Sequence, residues 1–123
     1  MLKKSELPDC QVATVLQILN SKWKIYILQK LLEHPHRFNE LKKSIAGISA
    51  KILTESLRQL EEDKIISRKV EGENPPQKIE YFLSELGEKL SPLISEIHNF
   101  GIYYKSEVKQ KNPPHLENQF FKT

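Results

Sequence analysis

Between Ala50 and Asp63 the chain runs without glycine or proline and places Leu53, Leu57 and Leu60 at helical intervals. No other pattern in the sequence constrains the fold as tightly. The spacing gathers the three leucines on one face of a helix and leaves Ser49, Ala50, Lys51, Thr54, Glu55 and Arg58 on the opposite face. Ser49 carries the hydroxyl that an N-cap requires. Just before it, Gly47 suits the left-handed end of a short preceding helix built on Phe38, Leu41 and Ile45. Two helices joined through Ala46-Gly47-Ile48-Ser49 read as a helix-turn-helix.

The flanking segments extend this unit. After Pro8, the apolar positions Val12, Val15, Leu16 and Leu19 predict a first helix with Asp9 as its N-cap. Trp23, Ile27, Leu28, Leu31 and Leu32 predict a second, which Pro35 ends. Beyond the leucine-bearing helix, runs 65–70 and 78–83 are rich in β-formers and enclose the polar tip Glu71-Gly72-Glu73-Asn74 with Pro75-Pro76, the pattern of a hairpin. Ser84 then caps a long helix carrying Leu86, Leu90, Leu93, Ile94, Ile97, Phe100, Tyr104 and Val108, with a kink at Pro92. The expected architecture is mainly α with a small β-hairpin wing: a winged helix-turn-helix over residues 10–108, after an N-terminal arm 1–9 and before a flexible tail 109–123 in which Phe120-Phe121 are able to dock.

The chain's 123 residues suffice for one domain. Its single cysteine, Cys10, allows no internal disulfide, and the clustered ligands of structural zinc are absent. No apolar run approaches the roughly 20 residues of a membrane span, and the first residues lack a signal-peptide core, so a cytoplasmic protein without membrane contact is expected. Enzyme signatures are missing as well: there is no glycine-rich phosphate loop, HExxH or GxSxG. His34-Pro35-His36 offers two histidines that could hold a metal with Cys10 or a carboxylate, but turn histidines are ordinarily solvated, and neither metal nor cofactor is expected.

Charge is uneven. Residues 22–78 hold 12 lysines and arginines against 8 acidic residues. Lys51 and Arg58 on the outward helix face can donate to guanine or phosphate, and Ser49 and Thr54 are short enough to allow close approach to a groove. Arg68, Lys69 and Lys78 flank the wing loop, where cations can grip a sugar-phosphate backbone. Lys22, Lys24, Arg37, Lys42 and Lys43 are further candidates for phosphate contact. The expected partner is double-stranded DNA. Against it stand Glu55, Glu61, Glu62, Glu71 and Glu73, whose charge repels phosphate. They keep open a second reading, a winged-helix module that docks a protein and binds no DNA.

These residues together resemble the HxlR-type subgroup of bacterial winged helix-turn-helix transcriptional regulators, similar in fold to the MarR-type group. The matching segments are Lys22-Trp23-Lys24 with Ile27-Leu28, Arg37-Phe38-Asn39-Glu40-Leu41, Gly47-Ile48-Ser49 with Lys51 and Leu53-Thr54, Leu57-Arg58 with Leu60-Glu61, Pro75-Pro76 with Glu80-Tyr81, and Leu83-Ser84 with Leu86-Gly87. Three positions depart from the family pattern: Cys10-Gln11 stands for its Cys-Pro, Asn20-Ser21 for its Gly-Gly, and Lys64 for a glycine at an expected left-handed helix end. The resemblance implies a homodimer built from the first and last helices, with Val12, Leu16, Leu19, Ile97, Phe100, Tyr104 and Val108 at the interface. The apolar stripe through Phe100, Tyr104 and Val108 points the same way, because it exceeds what a small domain can cover. The resemblance also implies sensing of oxidants or electrophiles through Cys10. A thiol near a helix N-terminus suits that chemistry, while adjacent Asp9 opposes a thiolate.

Overall fold

A computed structural model of the chain describes residues 7–111. In order these are α1 (Gln11–Ile18), α2 (Lys22–Glu33), β1 (His36–Arg37), α3 (Phe38–Ser44), α4 (Ala50–Glu62), β2 (Ile66–Glu71), β3 (Lys78–Leu83), α5 (Glu85–Glu88) and α6 (Ser91–Lys111). The chain divides after Ser91 into a winged-helix unit and a second unit carrying α6.

Within the first unit, α2 and α4 pack on each other and on the sheet. Ile27 and Leu28 of α2, Leu41 of α3, Leu53 and Leu60 of α4, and Ile66 of β2 are completely buried. Each such side chain contributes about 1.5–3 kcal/mol of transfer free energy, which makes this cluster the principal stabiliser of the fold. The sheet is antiparallel in the order β1-β3-β2, and the hairpin register pairs Arg68 with Tyr81, Lys69 with Glu80 and Glu71 with Lys78.

The caps explain where the helices start. Ser49 accepts a hydrogen bond from the Ile52 amide at 3.1 Å, and Ser21 accepts one from Lys24 at 3.2 Å. The α4 end forms a complete Schellman motif: the Ile65 amide donates to Leu60 O and the Lys64 amide to Glu61 O, both at 3.0 Å. That geometry requires positive φ at Lys64, which lies at +65°. Gly47 lies at +82°, as the turn before α4 demands.

Several expectations are corrected. Asp9 is not a cap: Cys10 occupies the N-cap position of α1 and no side chain closes that end. His36, read as a turn histidine, instead forms β1 together with Arg37 by pairing with Tyr81 and Glu80 of β3. The long helix expected from Ser84 onward is two helices. Ser84 caps α5 by accepting from the Gly87 amide at 3.0 Å, and the chain leaves helix at Lys89 and Leu90. Pro92 is the physical reason, because it lacks the N–H and clashes with the carbonyl four residues back, yet fits the first turn of α6 without loss. Gly87 lies so close to the residue before β2 that a Cβ there would overlap the Ile65 carbonyl oxygen, so no larger residue fits. Helix α6 continues through residues 109–111, the start of the expected tail. Phe120-Phe121 and most of the expected N-terminal arm lie outside the described residues.

Candidate nucleic-acid interface

The two faces of α4 separate cleanly. Leu53, Ser56, Leu57 and Leu60 are buried, while Ser49, Ala50, Lys51, Thr54, Glu55 and Arg58 are all exposed. Because Ser49 closes the first turn from outside, the positive end of α4 opens beside Ala50 and Lys51, where an anion would be favoured.

Arg68, Lys69 and Lys78 are also exposed, but they do not form one group. Side chains alternate along a strand. Arg68 therefore shares its face with Ile66 and points along the side of the sheet that packs on α4, whereas Lys69 and Lys78 project from the other side with Glu71 and Glu80. Arg68 reaches Glu61 of α4 at 3.4 Å, and Lys69 reaches Glu71 at 3.2 Å. On α4 itself, Arg58 lies 3.8 Å from Glu62, one turn on. The first of these pairs ties the wing to α4. All three are well exposed, so each is worth little in water and is readily exchanged for another anion.

Thr54, Arg58 and Arg68 converge on a cleft of about 490 Å³ between α4 and the wing, walled by Phe38 and Tyr81. Phe38 and Tyr81 were not singled out by sequence reasoning as site residues, since an aromatic at a helix or strand position ordinarily signals core. The carboxylates that engage the cations were foreseen only as repelling charges. The four-residue spacing of Arg58 and Glu62 was the one available signal for a pair.

The other basic candidates fare unevenly. Arg37, Lys42 and Lys43 are exposed at the start and end of α3, and Lys22 is exposed with its ammonium 4.9 Å from the centre of the Trp23 ring. Lys24 is not available for phosphate: it is buried within α2 at 3% exposure. Desolvation lowers its pKa, and the nearby Asp63 carboxylate partly offsets this. Asp63, the C-cap of α4, is raised by desolvation and partly restored by Lys24. At the start of α3, the Glu40 carboxylate accepts a hydrogen bond from the Arg37 amide at 2.8 Å, which holds its pKa below the ordinary carboxylate range. His36 is buried and stacked on His34 at 4.1 Å, and the Nδ1 of each faces a backbone carbonyl at 2.7 Å.

Outside this interface, Cys10 is exposed at the head of α1, and Val12 and Leu16 are 66% and 63% exposed along that helix, with Leu19 partly covered. On α6, Ile97, Phe100 and Tyr104 are exposed and Val108 partly so.

Comparison with known proteins agrees with this architecture. The family described as HxlR-like helix-turn-helix matches residues 18–109. The HTH-type transcriptional regulator YdeP of Bacillus subtilis is 40% identical over 103 residues, covering 84% of this chain and 80% of its own. Among solved structures, the redox regulator HypR in its reduced form is similar with a TM-score of 0.76 and 30% identity, covering 82% of this chain and 99% of its own. Quinone-bound YodB of B. subtilis is similar with a TM-score of 0.66 and 28% identity, covering 76% and 98%. With the family match spanning most of the chain and the winged helix in place, this protein belongs to the HxlR-like helix-turn-helix transcriptional regulators.

Proposed function

We propose that this regulator binds double-stranded DNA sequence-specifically as a homodimer, with α4 in the major groove and the wing on the sugar-phosphate backbone. The observation that carries the reading is the outward face of α4, where a capped N-terminus, two cations and two short hydroxyl-bearing residues are all exposed above a fully buried leucine face. In this reading Ser49, Ala50, Lys51, Thr54, Glu55 and Arg58 meet the groove, and Arg68, Lys69 and Lys78 meet phosphate. Val12, Leu16, Leu19, Ile97, Phe100, Tyr104 and Val108 supply the dimer contacts. Cys10 receives an oxidant or electrophile, a role supported by its exposure and by the similarity to HypR and quinone-bound YodB.

The test is electrophoretic retardation of the protein's own upstream DNA at several salt concentrations. Affinity falls steeply with salt if several phosphates are contacted, and half-sites lie about 34 Å apart. Lys51→Ala and Arg58→Ala each cost about 1–3 kcal/mol on the specific site and much less on unrelated DNA if they read bases. A folded protein that retards no upstream fragment at low salt rules the reading out. The engagement of Arg58, Arg68 and Lys69 by carboxylates favours one alternative, a protein-docking module whose basic face is self-neutralised. A stoichiometric, salt-insensitive complex with a protein and no nucleic acid would establish that alternative.

A further inference from the structure

A second concavity shares no residue with the cleft beside the wing. One wall is the face of α2 bearing Lys22, Trp23, Tyr26 and Lys30, and the other is the segment 44–46 where α3 gives way to the turn. Its volume of about 400 Å³ falls within the range of roughly 300–1,000 Å³ typical of small-molecule sites.

Its chemistry is one-sided. Trp23 and Tyr26 meet edge to face at 5.9 Å with an interplanar angle of 87°, and Tyr26 is 41% exposed although its neighbours Ile27 and Leu28 are completely buried. The Lys22 ammonium is held over the Trp23 ring, with no carboxylate at salt-bridge distance among the described residues, and Lys30 stands one turn beyond Tyr26. None of the eight lining residues is acidic. Two ammonium groups around an exposed Tyr26 and a half-buried Trp23 match a planar ring that carries a negative charge: the ring gains contact with Tyr26 and Trp23, and the anion gains Lys22 and Lys30.

The far wall leads into the turn before α4. The Trp23 ring atom Cη2 lies 4.0 Å from the position a Cβ would take on Gly47, and Gly47 at φ +82° leads directly into the Ser49 cap of α4. A molecule seated between α2 and this turn presses on the segment that sets where α4 begins. We propose that the cleft is an effector site for a planar aromatic carboxylate; its role as an effector site rests on the DNA-binding reading, whereas occupancy of the cleft does not.

The experiment uses the full chain labelled with ¹⁵N and titrated with sodium 2-naphthoate at constant ionic strength. Trp23 is the sole tryptophan, so its indole N–H gives a single cross-peak. The expected result is a saturable shift of that cross-peak with Kd below about 1 mM, accompanied by shifts of the Gly47, Ser49 and Ile52 amides. Lys22→Gln with Lys30→Gln, which alters no buried side chain, weakens binding at least about tenfold at an unchanged thermal midpoint. Tyr26→Ala does the same. Neutral 2-naphthalenemethanol and non-aromatic cyclohexanecarboxylate bind at least about tenfold more weakly than naphthoate. The proposal is overturned by an absence of saturable shift, by equal binding of either comparator, by equal binding to the double lysine variant, or by an indole shift that leaves residues 47–52 unmoved. No DNA enters this titration, so its failure is distinct from a failure of the DNA-binding reading.

Discussion

Glu61 illustrates how single residues set the properties of the candidate interface. Its carboxylate holds Arg68 at 3.4 Å, so a phosphate that recruits Arg68 must displace it. Removing the charge while keeping the shape frees the arginine at little cost to the fold, because both partners are half exposed. Glu61→Gln is therefore expected to tighten DNA binding severalfold at low salt and to steepen the log affinity against log salt slope by about one, as one additional phosphate contact would. An unchanged slope would assign Arg68 to anchoring the wing alone. Lys64 makes a different point. It sits at φ +65° in the Schellman motif, where an L residue is strained. Lys64→Gly is expected to stabilise the protein by roughly 0.5–1 kcal/mol in urea unfolding, the relief of strain exceeding the entropy that glycine adds to the unfolded chain. This strain was legible from sequence, since a lysine follows a helix end in a family pattern that has glycine. The burial of Lys24 was not, because a lysine spaced like its exposed neighbours carries no mark of the desolvated niche it shares with Asp63.

At the scale of elements, α4 was readable almost to the residue, because fourteen positions without glycine or proline, three spaced leucines and a serine cap all agree. The hairpin strands were readable by alternation, but their partner strand β1 was not. Two residues following a proline carry no periodicity, and β1 exists only because β3 offers a free edge to His36 and Arg37. For the same reason the sequence could not divide the wing cations between the two faces of the sheet. Which residues pair depends on the register, and the tip of residues 72–77 hides it. The start of α3 yields a pH prediction. Glu40 caps it through the Arg37 amide, and this hydrogen bond favours the ionised form, so the folded pKa lies below the unfolded one. The resulting stabilisation is complete above the unfolded pKa and is lost as pH falls through the folded value. Urea unfolding at steps from neutral pH downward is expected to show Glu40→Gln less stable than wild type near neutrality. The difference should close on the acid side of the ordinary carboxylate range, and a constant gap at every pH would show that the cap acts through packing instead.

At the scale of the whole molecule, the apolar positions of α1 and α6 and the thiol at the head of α1 all bear on the proposed homodimer. Val12 and Leu16 on one helix, and Ile97 and Phe100 on the other, are large apolar side chains left exposed, and the proposed homodimer would cover them. In the proposed dimer Cys10 lies at the head of α1, just before Val12, and no side chain caps that helix end. Diamide is expected to join the Cys10 thiols of two subunits: two S–H bonds are lost, one S–S bond forms, and the two protons and two electrons reduce diamide to its hydrazine. A quinone would instead add to the thiolate as an S-aryl adduct. Either change strains α1 and shifts the spacing of the two α4 helices, so operator affinity should fall by about tenfold or more, recover with dithiothreitol after diamide, and stay unaltered in Cys10→Ser. Leu16→Glu with Phe100→Glu supplies the companion measurement. Sedimentation should show loss of the dimer, and diamide should then yield little cross-linked species, since the thiols are no longer brought together. If treated wild type binds DNA as untreated protein does, or Cys10→Ser responds equally, Cys10 carries no signal. If the double glutamate variant cross-links as readily as wild type, the disulfide reflects random collision and not the proposed interface.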